Sequence, residues 1–113
     1  MANSIDMQMV VDSLRVKGKI FKTMKEISPK ELGIRNKIRI YQATDTSGYF
    51  WAIFGVSQKS RLLMKDVHKF EEIYHKLTLY CEHNFKYKVL FLDAPLCSKA
   101  QKAFKDTGWK IQK

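Results

Sequence analysis

The sequence has few of the residues that hold small extracellular domains together or bind structural metals. It contains only two cysteines, Cys81 and Cys97, and no Cys-x-x-Cys pair or His/Cys cluster at zinc-ligand spacing. This excludes a disulfide framework and favours two buried thiols in a reducing compartment. No run of about twenty apolar residues is present that would span a membrane. The N-terminus carries Asp6 and Asp12 without an early basic residue, which is not typical of a secretory signal, so we expect a cytoplasmic protein.

Standard catalytic signatures are also missing. There is no Gly-rich phosphate loop, no H-E-x-x-H, no G-x-S-x-G and no EF-hand loop. His68, Glu72 and His75 share one face of a predicted helix at a spacing that suits a transition metal. The alternative, which we favour, is a solvent-exposed face with an ion pair between Glu72 and Lys76. Since the sequence offers no clear further ligand, we predict no metal site there.

Acidic residues are scarce relative to basic ones. Lys and Arg total 21 against 11 Asp and Glu, which gives a formal net charge of +10 in 113 residues. Nine basic side chains lie within residues 15–39 and seven within 85–113, whereas residues 40–58 carry only Asp45. Such a surplus favours nucleic acid or another polyanion, such as an acidic protein, as partner. A surface selected only for solubility is the other interpretation. The sequence alone leaves open whether folding merges the two basic blocks.

Hydrophobic periodicity predicts an α/β (mixed α+β) fold in a single domain over residues 1–113. The expected architecture is a small mixed sheet of four or five strands with a long packed helix, a C-terminal strand–helix–strand unit and an N-terminal helical segment. Helices are predicted over residues 4–16, with Ser4 as the N-cap, over residues 66–83, and after Ser98, which caps the last helix. A helical face is also predicted over residues 20–27 and a capping box over residues 28–31. Strands are predicted over residues 37–43, 49–56, 58–64, 88–93 and 109–111. Phe50 and Trp51 are expected to lie in the core rather than to stack on bases.

From Ile38 to Ile111 the order of elements resembles the core of restriction-endonuclease-like nucleases, particularly the Mrr-type branch. The run VLFLDAPLCSKAQKAFKDTGWKI resembles the terminal strand–Ser-Lys-x-Ala–helix–Gly–strand unit of that family, and Lys65-Asp66-Val67 resembles the start of its long helix. The family carries an Asp in a hairpin, followed by an acid-x-Lys triplet. The resemblance implies a metal-dependent nuclease fold in which Mg²⁺ would be the cofactor.

Under this resemblance, Asp45 takes the place of the first metal-binding Asp and Lys59 that of the triplet lysine. Ser57 then stands where the triplet acid belongs, so the catalytic motif is degenerate, because two carboxylates are normally needed to hold the metal. Asp93, at the end of a predicted buried strand, is a further candidate, although we favour a role in capping the following helix. Asp45 has an alternative explanation as a turn residue that bonds its own backbone.

Candidate nucleic-acid contacts come from the basic residues near predicted strand ends and helix starts. They are Arg35, Lys37, Arg39, Lys59, Arg61, Lys99 and Lys102. For Lys59 and Arg61, an equally good interpretation is a polar loop or edge strand. We predict a nucleic-acid-binding or nucleic-acid-associated protein with no cofactor and no membrane partner. The alternatives are a Mg²⁺-dependent nuclease using Asp45, Lys59 and Asp93, and an interaction module for an acidic protein.

Overall fold

A five-stranded mixed sheet with helices on both faces forms the fold in this computed structural model, which describes residues 6–35 and 38–112. The elements are α1 Met7–Val16, β1 Phe21–Ile27, a 3₁₀ helix Pro29–Leu32, β2 Arg39–Asp45, β3 Phe50–Ser57, α2 Met64–Cys81, β4 Tyr87–Asp93, α3 Ser98–Asp106 and β5 Trp109–Gln112. The strand order is β1-β2-β3-β4-β5, antiparallel from β1 to β3 and parallel from β3 to β5. The predicted fold class is confirmed, including the C-terminal strand–helix–strand unit.

The central strand β3 is covered on both faces, as its apolar composition predicted. Ala52 and Phe54 belong to the core under α2 and α3, whereas Trp51 and Ile53 belong to the core under α1. Phe50 does not follow the prediction. It is 38% exposed and stacks on the His83 ring, with 3.8 Å between ring centroids. Phe50 is the first residue of the strand, and its ring lies against the segment that follows α2.

The long helix α2 buries one stripe of side chains against the sheet: Val67, Phe70, Ile73 and Leu77. The apolar residues Val67, Phe70, Tyr74, Leu77 and Cys81, at steps of three and four, predict this face, and the structure confirms it with Tyr74 and Cys81 partly buried at its margin. Its first residue, Met64, lies two positions before the predicted start, because the Asp66 carboxylate accepts a hydrogen bond from the Leu63 backbone N–H at 2.8 Å. None of the described helices is long and apolar enough to cross a membrane.

The prediction of a helical face over residues 20–27 is wrong, because this segment forms the edge strand β1. A register shift between Phe21 and Thr23 inserts an extra residue, so that Phe21 and Met24 pack on the same face although they are three apart. Ile27 lies on the opposite face and packs under α2. Because of the bulge and of burial on both faces, the apolar residues of β1 are spaced three apart, as they would be on one face of a helix.

The strand predicted over residues 58–64 is also wrong. A strand continuing the hairpin would pair antiparallel with β3, but β4 occupies that side of β3 in parallel. The segment is instead a loop with one isolated bridge, between Leu62 and Leu96. The connection therefore leaves the sheet and enters α2, as a parallel crossover requires.

Two predicted helix caps are corrected and one is confirmed. The N-cap of α1 is Asp6, whose side chain accepts a bond from the Met9 N–H; Ser4 lies outside the described residues. The N-cap of α3 is Cys97 rather than Ser98, because Cys97 has the extended backbone of a cap and its Sγ accepts from the Ala100 N–H at 3.3 Å. The capping box over residues 28–31 is present.

Both cysteines are half-buried at the edge of the core rather than fully buried. Burial raises the pKa of the Cys81 thiol, so this group is the less reactive protonated form at neutral pH.

Candidate nucleic-acid interface

The loops that follow the parallel strands β3 and β4 are held next to each other by hydrogen bonds at the carboxyl edge of the sheet. Ser57 at the end of β3 pairs with Asp93 at the end of β4. Backbone hydrogen bonds then join the Leu62 N–H to the Pro95 carbonyl at 2.9 Å and the Cys97 N–H to the Leu62 carbonyl at 3.2 Å. The loop over residues 58–63 therefore has a fixed position against the start of α3.

These loops present the exposed cations Lys59, Arg61 and Lys99. Lys59 and Arg61 stand near Leu62, and Lys99 lies two residues after Cys97, so the backbone bonds at Leu62 bring all three to one edge. Lys102 follows Lys99 three residues later on the exposed surface of α3. None of these four cations has a described carboxylate within 4.0 Å. The edge therefore carries positive charge without a partner from the described part of the chain.

The other basic residues predicted to bind nucleic acid are Arg35, Lys37 and Arg39, which in the sequence stand before β2 or at its first residue. Arg39 donates from its Nη1 to the Glu26 Oε2 at 2.9 Å, and this carboxylate raises the pKa of the guanidinium. The charge of Arg39 is thus partly compensated. Arg35 is exposed and shares a shallow groove with Lys30, a cation that the sequence pattern did not single out. Lys37 lies outside the described residues.

Asp93 lies at this edge and is exposed. Its Oδ2 accepts a hydrogen bond from the Ser57 hydroxyl at 3.0 Å, and its carbonyl accepts from the Gln58 N–H at 3.1 Å. The capping role that we favoured from the sequence belongs to Cys97 instead. Asp93 joins the ends of β3 and β4.

Asp45 lies at the other end of the hairpin and holds its turn. Its Oδ1 accepts from the backbone N–H groups of Ser47 and Tyr49, and its Oδ2 accepts from the indole N–H of Trp51, all at 2.9 Å. These donors, the Trp51 indole first, lower the pKa of the Asp45 carboxyl. The interpretation of Asp45 as a turn residue therefore accounts for both of its oxygens.

The structure does not bring Asp45 and Lys59 together. Asp45 bonds across the hairpin to Tyr49 at the beginning of β3, whereas Lys59 follows Ser57 at the end of that strand. At about 3.3 Å per residue, the strand separates the two groups by about 25 Å. Strand β3 contains no acidic residue and no lysine. It therefore cannot supply an acid-x-Lys triplet beside the aspartate of the hairpin.

Asp45 and Asp93, the two carboxylates that the nuclease alternative assigns to Mg²⁺, lie at opposite ends of β3 and do not form one site. Binding of this ion through protein needs one or two carboxylates with free oxygens. At one end the oxygens of Asp45 accept from three N–H donors, and at the other Asp93 stands beside a serine. Within residues 6–35 and 38–112, no group of three or more His, Cys, Asp or Glu side chains is placed to hold a metal ion.

The acidic residues of α2 serve the structure of the helix and its packing. Glu72 pairs with Lys69 at 3.8 Å and with Lys76 at 3.7 Å, as expected for a solvent-exposed face. Glu71 is half-buried and accepts from the Trp109 indole N–H at 2.8 Å. Lys88 lies 3.5 Å from the same carboxylate. Glu71 therefore fastens α2 to β4 and β5.

Folding merges the two basic blocks of the sequence at one groove, away from the carboxyl edge, which the sequence did not reveal. Lys17 and Lys19, from the first block, line one groove with Lys105 and Lys110, from the second. Lys105 also follows Lys102 on α3 by three residues, so lysines at steps of three run along this helix from the carboxyl edge to the groove.

Comparison with known proteins identifies the fold. No protein-family model matches the sequence, and a search of curated protein sequences finds no significant match. Among solved structures, a repair endonuclease from Pyrococcus abyssi is similar with a TM-score of 0.56 and 19% identity, over 94% of this chain and 43% of that one. EndoMS in its apo form gives 0.58 and 13%, with the same coverage. An EndoMS–dsDNA complex gives 0.52 and 12%, over 94% of this chain and 42% of that one.

The chain thus spans less than half the length of these solved structures, and at these identities the likeness concerns the fold. The repair endonucleases have a restriction-endonuclease-like fold, so the resemblance noted from residue 38 to residue 111 is confirmed at that level and extends over nearly the whole chain. The protein has a restriction-endonuclease-like fold.

Proposed function

We propose that this protein binds nucleic acid through the carboxyl edge of its sheet and the adjoining surface of α3, without cutting it. The observation that carries the proposal is the group of exposed cations Lys59, Arg61, Lys99 and Lys102, which has no described carboxylate within ion-pair distance. Phosphate is the anion that repeats along nucleic acid, and lysine and arginine on fixed loops are its usual partners.

Two further observations favour nucleic acid over an acidic protein as the partner. The fold is shared with a structure described as a repair endonuclease and with EndoMS in complex with dsDNA. The loop after β3 also exposes polar or charged side chains at Gln58, Lys59, Ser60 and Arg61 and an apolar one at Leu63, whereas protein interfaces are usually built around buried aromatic or aliphatic anchors. Binding of this kind reads the backbone rather than the bases, so it tolerates many sequences. A cytoplasmic location stays a prediction.

Binding that depends on the edge cations should weaken steeply with salt, because each phosphate contact releases condensed counterions. We expect the affinity for a 20-base-pair duplex to fall linearly on a log–log plot between about 50 and 200 mM NaCl, the range over which this effect is large. Fluorescence anisotropy with labelled single-stranded and duplex oligonucleotides measures the slope. Absence of binding to any oligonucleotide at about 50 mM NaCl, together with binding to a polyglutamate peptide, would favour the acidic-protein alternative.

We also expect no cleavage of plasmid DNA or RNA by the pure protein in Mg²⁺ or Mn²⁺, because the candidate carboxylates Asp45 and Asp93 lie at opposite ends of β3 and would not hold one metal ion together. Gel electrophoresis after long incubation measures this. The informative variants are Asp93→Asn and Lys59→Gln, which remove the acid and the base nearest the end of β3. Cleavage that is present in the natural protein and lost in both variants, at unchanged thermal stability, would establish the nuclease alternative instead.

A further inference from the structure

Exposed lysines flank the edge strand β5 on both faces of the sheet. Along α3, which packs on the face that holds Trp109, they follow one another at steps of three residues: Lys99, Lys102 and Lys105. On the α1 face, a groove of about 510 Å³ is lined by Lys17, Lys19 and Lys110. Lys105 lines the same groove, so the two rows of lysines meet near the end of α3.

The charge of these lysines is not compensated within the described residues. On α2, by comparison, Lys69 and Lys76 both pair with Glu72. No lysine of the two rows has a described carboxylate within 4.0 Å, and no acidic residue lines the groove. Lys17 donates to the Gln112 side-chain oxygen at 2.6 Å, but this partner is neutral. Like charges held this close repel one another, and a polyanion that passes both rows would relieve the repulsion.

The groove presents charge without a surface on which a base could stack. Leu14, Trp51, Val89 and Trp109 line it but are only between 1% and 3% exposed, and Ile111 is half-buried. Unpaired bases stack on accessible aromatic rings, whereas phosphates need only the cations. The groove therefore suits a nucleic acid whose bases are already stacked inside and whose phosphates face outward, which describes a duplex.

The two rows and the carboxyl edge lie within reach of one straight duplex. Lys99 lies at the carboxyl edge, whereas Lys110 pairs with Val89 near the start of β4. Strand β4 has seven residues, so at about 3.3 Å per residue the cations extend over about 20 Å. A duplex advances about 3.4 Å per base pair and bends little over fewer than about 150 base pairs. About six base pairs therefore cover this distance.

We propose that a nucleic-acid duplex held at the carboxyl edge continues along β5, where the lysines of α3 and of the groove contact its phosphates. The inference rests on the proposed function and adds a second set of contacts to the same duplex. Lysine on an edge strand also discourages pairing with another sheet. That role accounts for Lys110 on β5 itself, but not for Lys19 and Lys105, which lie on other parts of the chain.

The double variant K19Q/K110Q should lower the affinity for a 20-base-pair duplex by about tenfold at about 50 mM NaCl and reduce the slope of the salt dependence by about 2. Both side chains are exposed, so their replacement leaves the core intact. Fluorescence anisotropy between about 50 and 200 mM NaCl measures affinity and slope. Circular dichroism checks that the melting temperature is unchanged.

The matched control K69Q/K76Q removes the same charge from α2 and should change the affinity less than about twofold, with the slope unchanged. Equal losses in the two variants would overturn the inference, because they would reflect the overall charge. An unchanged slope in K19Q/K110Q, with a loss found only in the edge variant K59Q/K99Q, would also overturn it and leave the edge interface standing. Absence of duplex binding by the natural protein would overturn both.

Contact of one duplex with both the edge and the groove also determines the composition of the complex. With duplex in excess, analytical ultracentrifugation should find one duplex per protein chain. Two duplexes per chain would mean that the groove takes a separate molecule, which contradicts the continuous path. Tighter binding of a single strand than of the duplex, with the same loss in K19Q/K110Q, would overturn the assignment of a duplex.

Discussion

Leu77→Ala should lower the free energy of unfolding by about 2–5 kcal/mol. Leu77 is completely buried in the last third of α2, where it belongs to the core between the helix and the sheet. The substitution removes the transfer free energy of the side chain and leaves a cavity that a rigid sheet on one side and a long helix on the other fill poorly. Urea denaturation, with an unchanged slope as the sign of an unchanged unfolded state, measures the loss.

His75→Ala is the control for this prediction, because His75 lies two residues earlier on the exposed face of the same helix. We expect its effect to stay within about 0.5 kcal/mol. A loss at His75 as large as that at Leu77 would show that the helix is rotated about its axis relative to the sheet. The pair therefore tests helix phase rather than helix propensity.

The phase of α2 was predictable because one face of the helix meets water and the other meets a sheet, so the sequence has a clean period of 3.6 residues. Strand β1 lacks this simplicity. It is an edge strand with a bulge, and the half-buried Met24 and the buried Ile27 pack on opposite faces of the sheet. Neither the period of a strand nor that of a helix is preserved, and local spacing then favours the wrong element.

The sequence was enough to predict which cations could contact nucleic acid, but not which of them lie together in the fold. Lys59 and Lys99 are forty positions apart, and the bridge between Leu62 and Leu96 that brings their loops together depends on parallel pairing of β3 with β4. The separation of Asp45 from Lys59 in the fold has a similar origin. Asp45 and Lys59 are close in sequence, but an intervening strand always places its two ends far apart.

The triple variant K59Q/R61Q/K99Q should lower the affinity for duplex DNA by about a hundredfold at about 50 mM NaCl and reduce the slope of the salt dependence by about 3. Each side chain is exposed and lies on a loop or helix start that backbone bonds hold in place. Each is expected to contact one phosphate and to release about one counterion. Since none fills the core, the melting temperature should not fall, and circular dichroism checks this.

Loss of positive charge alone would weaken binding to any polyanion, so the control must remove an equal charge elsewhere. K69Q/K76Q/K86Q does so: Lys69 and Lys76 pair with Glu72 on α2, and Lys86 lies over the Tyr49 ring at the opposite end of the sheet. We expect this control to reduce affinity less than about threefold, through the long-range field, with an almost unchanged slope. Equal losses in the two triple variants would mean that the whole surface attracts the nucleic acid. A loss confined to the edge variant would locate the contact at the carboxyl ends of β3 and β4, because only contacting charges displace counterions from the phosphates.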